Sequence, residues 1–189
     1  MPSSKKPTLS LQGRQRQSSG VRRQPWIFIA VFTAFCMAGF ALLLSPLASP
    51  AVLKFSRSLV GFSGILIGTC GGHVRVEGAV LRDPFTGFAV EMKDGCNAAN
   101  VTILLWSAML AFPAPWRTKA AGLLAGSLVI HTINIARFIS LFYLGLYSAT
   151  LFEFAHAYLW ECMLVLDTMV VFWLWVNRLS RTSALPNAA

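Results

Sequence analysis

The feature that most constrains this chain is an uncharged apolar run near its N-terminus. The run WIFIAVFTAFCMAGFALLLSPLA covers residues 26–48. About 20 consecutive apolar residues form a helix long enough to cross a hydrocarbon core about 30 Å thick. A cleaved signal peptide is the alternative, but its apolar part usually has only about 7–15 residues. We therefore predict a retained membrane-spanning helix over residues 26–48.

Three more apolar segments follow, and together the four predict a multi-pass membrane protein. They cover residues 97–114, 120–147 and 151–176. Of the 189 residues, 56% are hydrophobic and only 12% are charged, which is too apolar for an ordinary soluble domain. The predicted fold class is an all-α polytopic membrane protein with four transmembrane helices, an outer-face amphipathic helix and a short β-hairpin.

Basic residues indicate which ends of the spans face the cytoplasm. The net charge is +9, and Lys and Arg cluster within residues 1–23, 117–119 and 178–181. Because cytoplasmic loops carry an excess of Lys and Arg, both termini are predicted inside and residues 49–96 outside. Residues 1–25 and 179–189 are predicted as cytoplasmic tails, the first of them disordered, basic and able to touch anionic membrane lipid. No aromatic platform accompanies the basic tail, so nucleic acid is not a predicted partner.

The segment 49–96 is predicted to fold outside the membrane. Residues 51–68 place Lys54 and Arg57 on one side of a helical wheel with apolar residues around the rest, which is typical of an amphipathic helix lying in the interface. The stretches HVRVEGAVL and GFAVEMK alternate apolar and polar residues on either side of Asp83 and Pro84. This alternation predicts two short antiparallel strands.

A cysteine and a histidine stand where the spans are predicted to meet the outer surface. Cys96 follows Asp94 and Gly95 and is predicted in the first turn of the second span, where the positive end of the helix dipole would lower the pKa of its thiol. His156 lies about five residues into the last span, roughly 8 Å below the surface by helical rise. An imidazole can take the proton of a thiol and later give it to a leaving amine.

Arg137 is the most unusual residue, because an arginine inside an apolar segment needs a partner. It lies about ten residues before the outer end of the third span, roughly 15 Å deep by helical rise. Two interpretations stay open: an ion pair with Glu161, or a grip on a substrate carboxylate or on the oxyanion of a tetrahedral intermediate. On a regular α-helix Glu161 stands about 140° from His156, so the two are predicted not to face one cleft equally well.

Three further residues are predicted to bind substrate or support the site. Asn134 lies one turn before Arg137 on the same helix face and can hydrogen-bond the same group. Glu153 shares the face of His156, where it either orients the ring or is solvated. Asn97 directly follows the cysteine. No cofactor or metal is predicted, because the pair Cys70 and His73 lacks the second pair of ligands that a zinc site needs.

The motifs around Cys96, Arg137 and His156 resemble those of the exosortase/archaeosortase family, most closely its small exosortase H branch. These motifs are DGCNAANV, NIARF and FEFAHAYLW, on successive spans, and the resemblance covers residues 26–178. It implies a membrane-embedded cysteine transpeptidase or protease that cleaves C-terminal sorting signals of exported proteins through an acyl-thioester. The active site would face the periplasm at the bacterial inner membrane, with Cys96 as nucleophile, His156 as acid/base and Arg137 as the third member.

The resemblance also implies a partner, and the chain departs from the family in two ways. The substrate would be a single-span exported protein that ends in a short motif, an apolar helix and basic residues. Larger members have more spans than the four predicted here, so a minimal core is implied. Many relatives carry a small hydroxyl residue and a glycine after the cysteine, where this chain has Asn97 and Ala98. That difference bears on the local turn more than on the chemistry.

Two other classes of function stay open from the residues alone. One is a non-enzymatic four-helix membrane assembly factor or partner-binding subunit, in which Arg137 and Glu161 hold helices together. The other is a membrane thiol oxidoreductase that pairs Cys70 with Cys96, since both lie in the predicted outer segment and a disulfide can form there in an oxidising compartment.

Overall fold

A computed structural model describes residues 25–183 as a set of helices with one small antiparallel sheet. In chain order the helical elements are α1 (Pro25–Leu43), α2 (Ser49–Thr69), α3 (Ala99–Ala111), α4 (Trp116–Tyr147), α5 (Ala149–Phe154), a π-helical turn (Ala155–Leu159) and α6 (Trp160–Ser183). Between α2 and α3 lie the strands β1 (Arg75–Glu77), β2 (Val80–Arg82) and β3 (Ala89–Glu91). Residues 1–24 and 184–189, which hold most of the two predicted tails, lie outside the described residues.

Within residues 25–183, four helical segments are long and apolar enough to cross a membrane. They are Pro25–Leu43, Ser49–Thr69, Trp116–Tyr147 and Ala149–Ser180, the last of which runs through α5, the π-helical turn and α6. The prediction of a mostly helical chain with four long apolar helices is confirmed, but the set of four is different. The predicted span at 97–114 forms α3, with only 13 residues. The helix α2, predicted to lie in the interface, has the length and hydropathy of a span.

Local backbone conformation limits α3 at both ends. Ala98, directly before the helix, has a φ of 59° and a ψ of 13°. That left-handed conformation cannot continue into a right-handed helix. At the other end, Pro113 disfavours a helical conformation of the residue before it, and Phe112 is extended, with a ψ of 137°. By helical rise α3 is therefore only about 20 Å long.

One face of α2 is buried, and its charged residues lie on the other. Lys54 and Arg57 are exposed, as their predicted place on an amphipathic helix requires. The buried face packs against the sheet and against α4, and it consists of Ser56, Leu59, Val60, Ser63, Gly64 and Ile67. A Cβ at Gly64 would overlap the side chain of Val76, so glycine is what lets β1 approach the helix closely.

The sheet has three antiparallel strands in the order β1-β2-β3, not the two predicted. In this register Val76 lies opposite Leu81, and Leu81 lies opposite Val90. The stretch predicted as one strand, HVRVEGAVL, folds back on itself at Gly78, whose φ of 67° suits glycine. The link from β2 to β3 is closed by Asp83, whose Oδ2 accepts hydrogen bonds from the backbone and the hydroxyl of Thr86 at 2.7 and 2.6 Å.

Two apolar cores lie at different levels of the molecule. The first, which we call the sheet core, joins α2, the sheet and α4 through Leu59, Val60, Ile67, Leu81, Val90, Met92, Phe138 and Phe142. The second, the helix core, joins α3, α4 and α6 through Ala98, Leu105, Met109, Ile130 and Trp175. In the helix core the indole of Trp175 lies against Gly122, where a Cβ would overlap it. The boundary between the two cores falls between Ile130 and Phe138 on α4.

The helices α3 and α4 run antiparallel, with α4 extending well beyond the start of α3. Lys119 Nζ donates to Leu110 O at 2.6 Å, and Trp106 Nε1 donates to Ser127 Oγ at 2.8 Å. With 32 residues, α4 is about 48 Å long by helical rise. Its remaining C-terminal part packs against α2 and the sheet, where Phe88 covers Gly145.

Candidate active site

The side chain of Arg137 is the centre of a polar cluster between α4 and the C-terminal helix. Arg137 is only 1% exposed. Its Nη2 lies 3.4 Å from His156 Nδ1 and 3.4 Å from Glu161 Oε1. The Glu161 side chain is 60% exposed, so this ion pair has one buried and one exposed member. The ion pair of the first interpretation of Arg137 is therefore present, and contact with a substrate or an oxyanion stays a prediction.

The π-helical turn explains how His156 and Glu161 reach the same guanidinium. The backbone N–H of Trp160 donates to Ala155 O, five residues back, as in a π-helix. Such a turn contains one more residue than an α-helical turn, so residues five apart stand nearly one above the other. The prediction that His156 and Glu161 do not face one cleft equally well is wrong, because it assumed a regular α-helix through this segment. Turns of this kind occur frequently at functional sites.

Some buried polar atoms of Arg137 itself, and of a side chain one helical turn away, have no hydrogen-bond partner. Within residues 25–183, Arg137 Nε and Nη1 have no hydrogen-bond partner, and neither do the Oδ1 and Nδ2 atoms of Asn134. Asn134 is 0% exposed and lies one turn before Arg137 on α4, as predicted. Buried polar groups are nearly always paired, and leaving one unpaired costs about 1–3 kcal/mol. Two neighbouring side chains therefore hold unused hydrogen-bonding capacity at this point.

Cys96 lies beside this cluster, in the loop that precedes α3. Cys96 is ten residues before Trp106, Arg137 is ten residues after Ser127, and Trp106 and Ser127 are hydrogen-bonded. The antiparallel pair thus brings the start of α3 toward the level of Arg137, and the charge of Arg137 is near enough to act on the Cys96 thiol. The thiol is half-buried against the sheet core. Within residues 25–183 no hydrogen bond joins it to His156.

Two expectations about Cys96 are wrong. The residue is not in the first turn of α3, because the left-handed conformation of Ala98 delays the start of that helix until Ala99. Its pKa is raised above the ordinary value, because burial disfavours the thiolate and outweighs the positive charge of Arg137, which acts in the opposite direction. The negative charge of Glu161 raises the pKa further, and Lys93 lowers it. The resting form is therefore the thiol, and a nucleophilic role would need a base.

Asn97 and Glu153, both predicted as supporting residues, have different surroundings. Asn97 is buried, its Nδ2 donates to Ser56 Oγ at 3.1 Å, and its Oδ1 accepts from the Ala99 N–H at 3.0 Å. It therefore joins the loop of residues 92–98, which we call the cysteine loop, to α2 and to the first residue of α3. Glu153 is exposed and has no hydrogen bond or ion pair in the part of the chain that the structure describes.

The His156 ring is held from two sides. It stacks on Phe152 with ring centroids 5.7 Å apart and planes at 22°, and its Nδ1 faces Arg137. A guanidinium only donates, so the Nδ1 contact is a hydrogen bond only when the ring proton is on Nε2.

All four cysteines of the chain are free thiols. Cys70 is exposed, whereas Cys96 is half-buried. The structure therefore contains no disulfide between these two residues.

Sequence reasoning missed one polar group near this site. Trp160 Nε1 is buried and has no hydrogen-bond partner within residues 25–183. The place of Trp160 directly before Glu161 is visible in the sequence, but residue types do not indicate that its indole nitrogen is buried.

Comparison with known proteins returns nothing that places the chain in a family. No family model, no curated protein and no solved structure matches it.

Proposed function

We propose that this protein is a membrane-embedded cysteine peptidase or transpeptidase that cleaves C-terminal sorting signals of exported proteins. The observation that carries the proposal is the state of Arg137. Its guanidinium is buried, anchored at Nη2 beside His156, and has unpartnered N–H groups on Nε and Nη1. A buried donor of this kind, close to a thiol, suits the stabilisation of an oxyanion.

The proposed reaction begins with the Cys96 thiol and the neutral His156 ring. Sγ attacks the carbonyl carbon of the scissile peptide while the imidazole takes the thiol proton, and the carbonyl oxygen becomes an oxyanion that Arg137 holds. Collapse of this intermediate breaks the C–N bond, and the leaving amine takes the proton from His156. The acyl-thioester on Cys96 is then attacked by an amine or by water, which gives its proton to the released thiolate by way of His156.

The contact between His156 and Arg137 links these events. At rest the Nδ1 lone pair accepts from Nη2 in the tautomer that permits the hydrogen bond. A guanidinium that shifts toward the oxyanion releases this lone pair, which then becomes the site that takes a proton. Substrate binding and activation of the base are thereby coupled in the proposal.

Helix lengths support an active site near one membrane face. From Trp116 to Arg137 there are 21 residue steps, about 31 Å by helical rise, close to the hydrocarbon thickness of about 30 Å. With the basic residues Arg117 and Lys119 at the cytoplasmic boundary, Arg137 would lie near the outer boundary, not about 15 Å below it as the sequence count suggested. We infer an inner-membrane, multi-pass protein with N-in, C-in topology and a periplasmic active site.

The decisive test is replacement of the proposed nucleophile. Cys96→Ala should abolish removal of the C-terminal tail from single-span exported proteins, as followed by mass spectrometry of their C-termini. The variant should still accumulate in the membrane. Cys36→Ala, Cys70→Ala and Cys162→Ala are matched controls that should retain processing. Intact processing by Cys96→Ala would refute the proposal that this protein is a cysteine peptidase or transpeptidase.

A non-enzymatic assembly subunit is the second candidate, and the Arg137–Glu161 ion pair favours it. In that case the pair holds α4 against α6, and Cys96 has no chemical role. Assembly with a partner would then survive Cys96→Ala and be lost on breaking the pair.

A further inference from the structure

Glu161 is the second anchor of the Arg137 guanidinium, and the reaction proposed above leaves it without a role. Its Oε1 lies 3.4 Å from Nη2. The carboxylate is mostly exposed while the guanidinium is buried. The carboxylate thus lies at the surface of the helix packing, while the cation that it faces is enclosed by it.

The geometry of a guanidinium makes this anchor important. The group is planar and rigid, with five N–H donors in fixed directions. Nη2 is held by His156 on one side and by Glu161 on the other. While both contacts hold that nitrogen, the directions of the N–H groups on Nε and Nη1 are fixed as well. When the contact with Nδ1 opens during the reaction, Glu161 is the anchor that remains.

We propose that Glu161 is a positioning residue, which holds Arg137 by Nη2 so that the donors on Nε and Nη1 are presented to the reacting carbonyl. This inference rests on the function proposed above. The π-helical turn then brings His156, the acid/base residue, and Glu161, the residue that anchors Arg137, to the same nitrogen atom.

The charges around Cys96 provide a readout that separates the effect of the Glu161 charge from the effect of its position. They are Arg137 on α4, Glu161 on α6, Lys93 in the cysteine loop and, when protonated, His156 in the π-helical turn. The negative charge of Glu161 raises the pKa of the Cys96 thiol. Removing that charge should therefore lower this pKa and increase the thiolate fraction at a given pH, even though turnover falls.

The first experiment is Glu161→Gln in a background where Cys36, Cys70 and Cys162 are serine. Glutamine keeps the length and an acceptor oxygen but loses the charge. Processing should fall roughly 10- to 100-fold, since misplacing a catalytic group by about 1 Å can cost about 100-fold. The pH profile of Cys96 alkylation by iodoacetamide should move to lower pH. Glu91→Gln is the matched control, because Glu91 is an exposed strand residue, and it should change neither readout.

The second variant, Glu161→Asp, keeps the test decisive if the glutamine variant accumulates poorly. Aspartate keeps the charge but withdraws the carboxylate by one methylene from Nη2. Processing should therefore fall while the alkylation profile of Cys96 stays near that of the parent. Wild-type processing by either variant, or a shifted alkylation profile in Glu161→Asp, would overturn the inference.

Failure of this inference and failure of the proposed function give different results. If Cys96→Ala still processes tails, the enzyme proposal fails whatever Glu161 does. If Cys96→Ala is inactive and both Glu161 variants are active, only the positioning role fails.

Discussion

The unequal exposure of Arg137 and Glu161 determines what their substitution should do. Breaking a fully buried ion pair typically costs about 3–5 kcal/mol, because one charge stays buried without a partner. Here the loss of Arg137 leaves behind a carboxylate that is already mostly exposed. The energetic penalty should therefore be smaller than for a buried pair, and the chemical role of the arginine should be separable from its structural one.

We expect Arg137→Ala to accumulate in the membrane and to process substrate about 100-fold or more slowly, the range found when an oxyanion donor is removed. Arg137→Lys should not recover activity, because lysine keeps the charge but lacks the planar set of N–H donors. Quantitative immunoblotting of membranes and mass spectrometry of the cleaved tails measure the two effects.

A structural role of Arg137 would give the opposite pattern. Arg137→Ala would then lose protein, and adding Glu161→Gln would restore both the protein level and the activity.

At the scale of residues, the sequence predicted more of the cluster's membership than of its geometry. Arg137, His156 and Asn134 stand out because polar groups inside apolar segments are expensive. The raised pKa of Cys96 could not be predicted, because burial by the sheet core depends on contacts between α2, the strands and α4. The convergence of His156 and Glu161 on Arg137 depends on a local change of helical pitch that residue types do not encode.

At the scale of elements, the π-helical turn is best understood as one extra residue in an otherwise regular helix. Ala157 is exposed. Deleting it would reduce the separation of His156 and Glu161 from five residue steps to four, which places their side chains about 40° apart on an α-helix. The two side chains and the buried face of α6 would all keep their orientation.

We therefore expect deletion of Ala157 to leave the protein level in the membrane close to wild type. Deletion of Met163, also exposed, is the comparison, because it lies in regular α-helix. It should rotate the rest of α6 by about 100° and turn Leu164, Thr168 and Trp175 out of their buried positions. Membrane levels and thermal stability in detergent measure the difference. Equal loss in both deletions would show that the π-helical turn is not an insertion of this kind.

The two elements that sequence patterns placed wrongly are both controlled by single backbone positions. Ala98 delays α3, and Gly78 divides the first predicted strand. An alanine with positive φ has no signature in composition or periodicity, and a glycine in an alternating stretch is compatible with either a bulge or a turn. The long helices were predictable because hydrophobic length alone identifies them.

At the scale of the whole molecule, the orientation across the membrane is the property that most needs a direct test. The three-stranded sheet belongs to one core with α2 and α4, and the loop that joins β2 to β3 lies at that end of the molecule. Phe85 in that loop is 79% exposed.

We expect Phe85→Cys, in a background where the four native cysteines are serine, to react with a membrane-impermeant maleimide on intact cells. The positive-inside distribution of Lys and Arg is the physical reason. Phe85 suits this experiment better than Thr86, whose backbone and hydroxyl both hydrogen-bond Asp83. Labelling that requires prior opening of the inner face would reverse the orientation and remove the periplasmic active site.

The shortness of α3 has a consequence for the lipid around the protein. Its neighbour α1 has 19 residues, about 29 Å by helical rise, against about 20 Å for α3. A bilayer about 30 Å thick matches the first helix but not the second, and such mismatch is relieved by local thinning of the bilayer or by flanking residues that reach to its surface. Thinning beside α3 would bring the headgroups down toward Cys96. In the function proposed above, a substrate anchored in the bilayer would then present its cleavage site without its own helix being pulled out of the membrane.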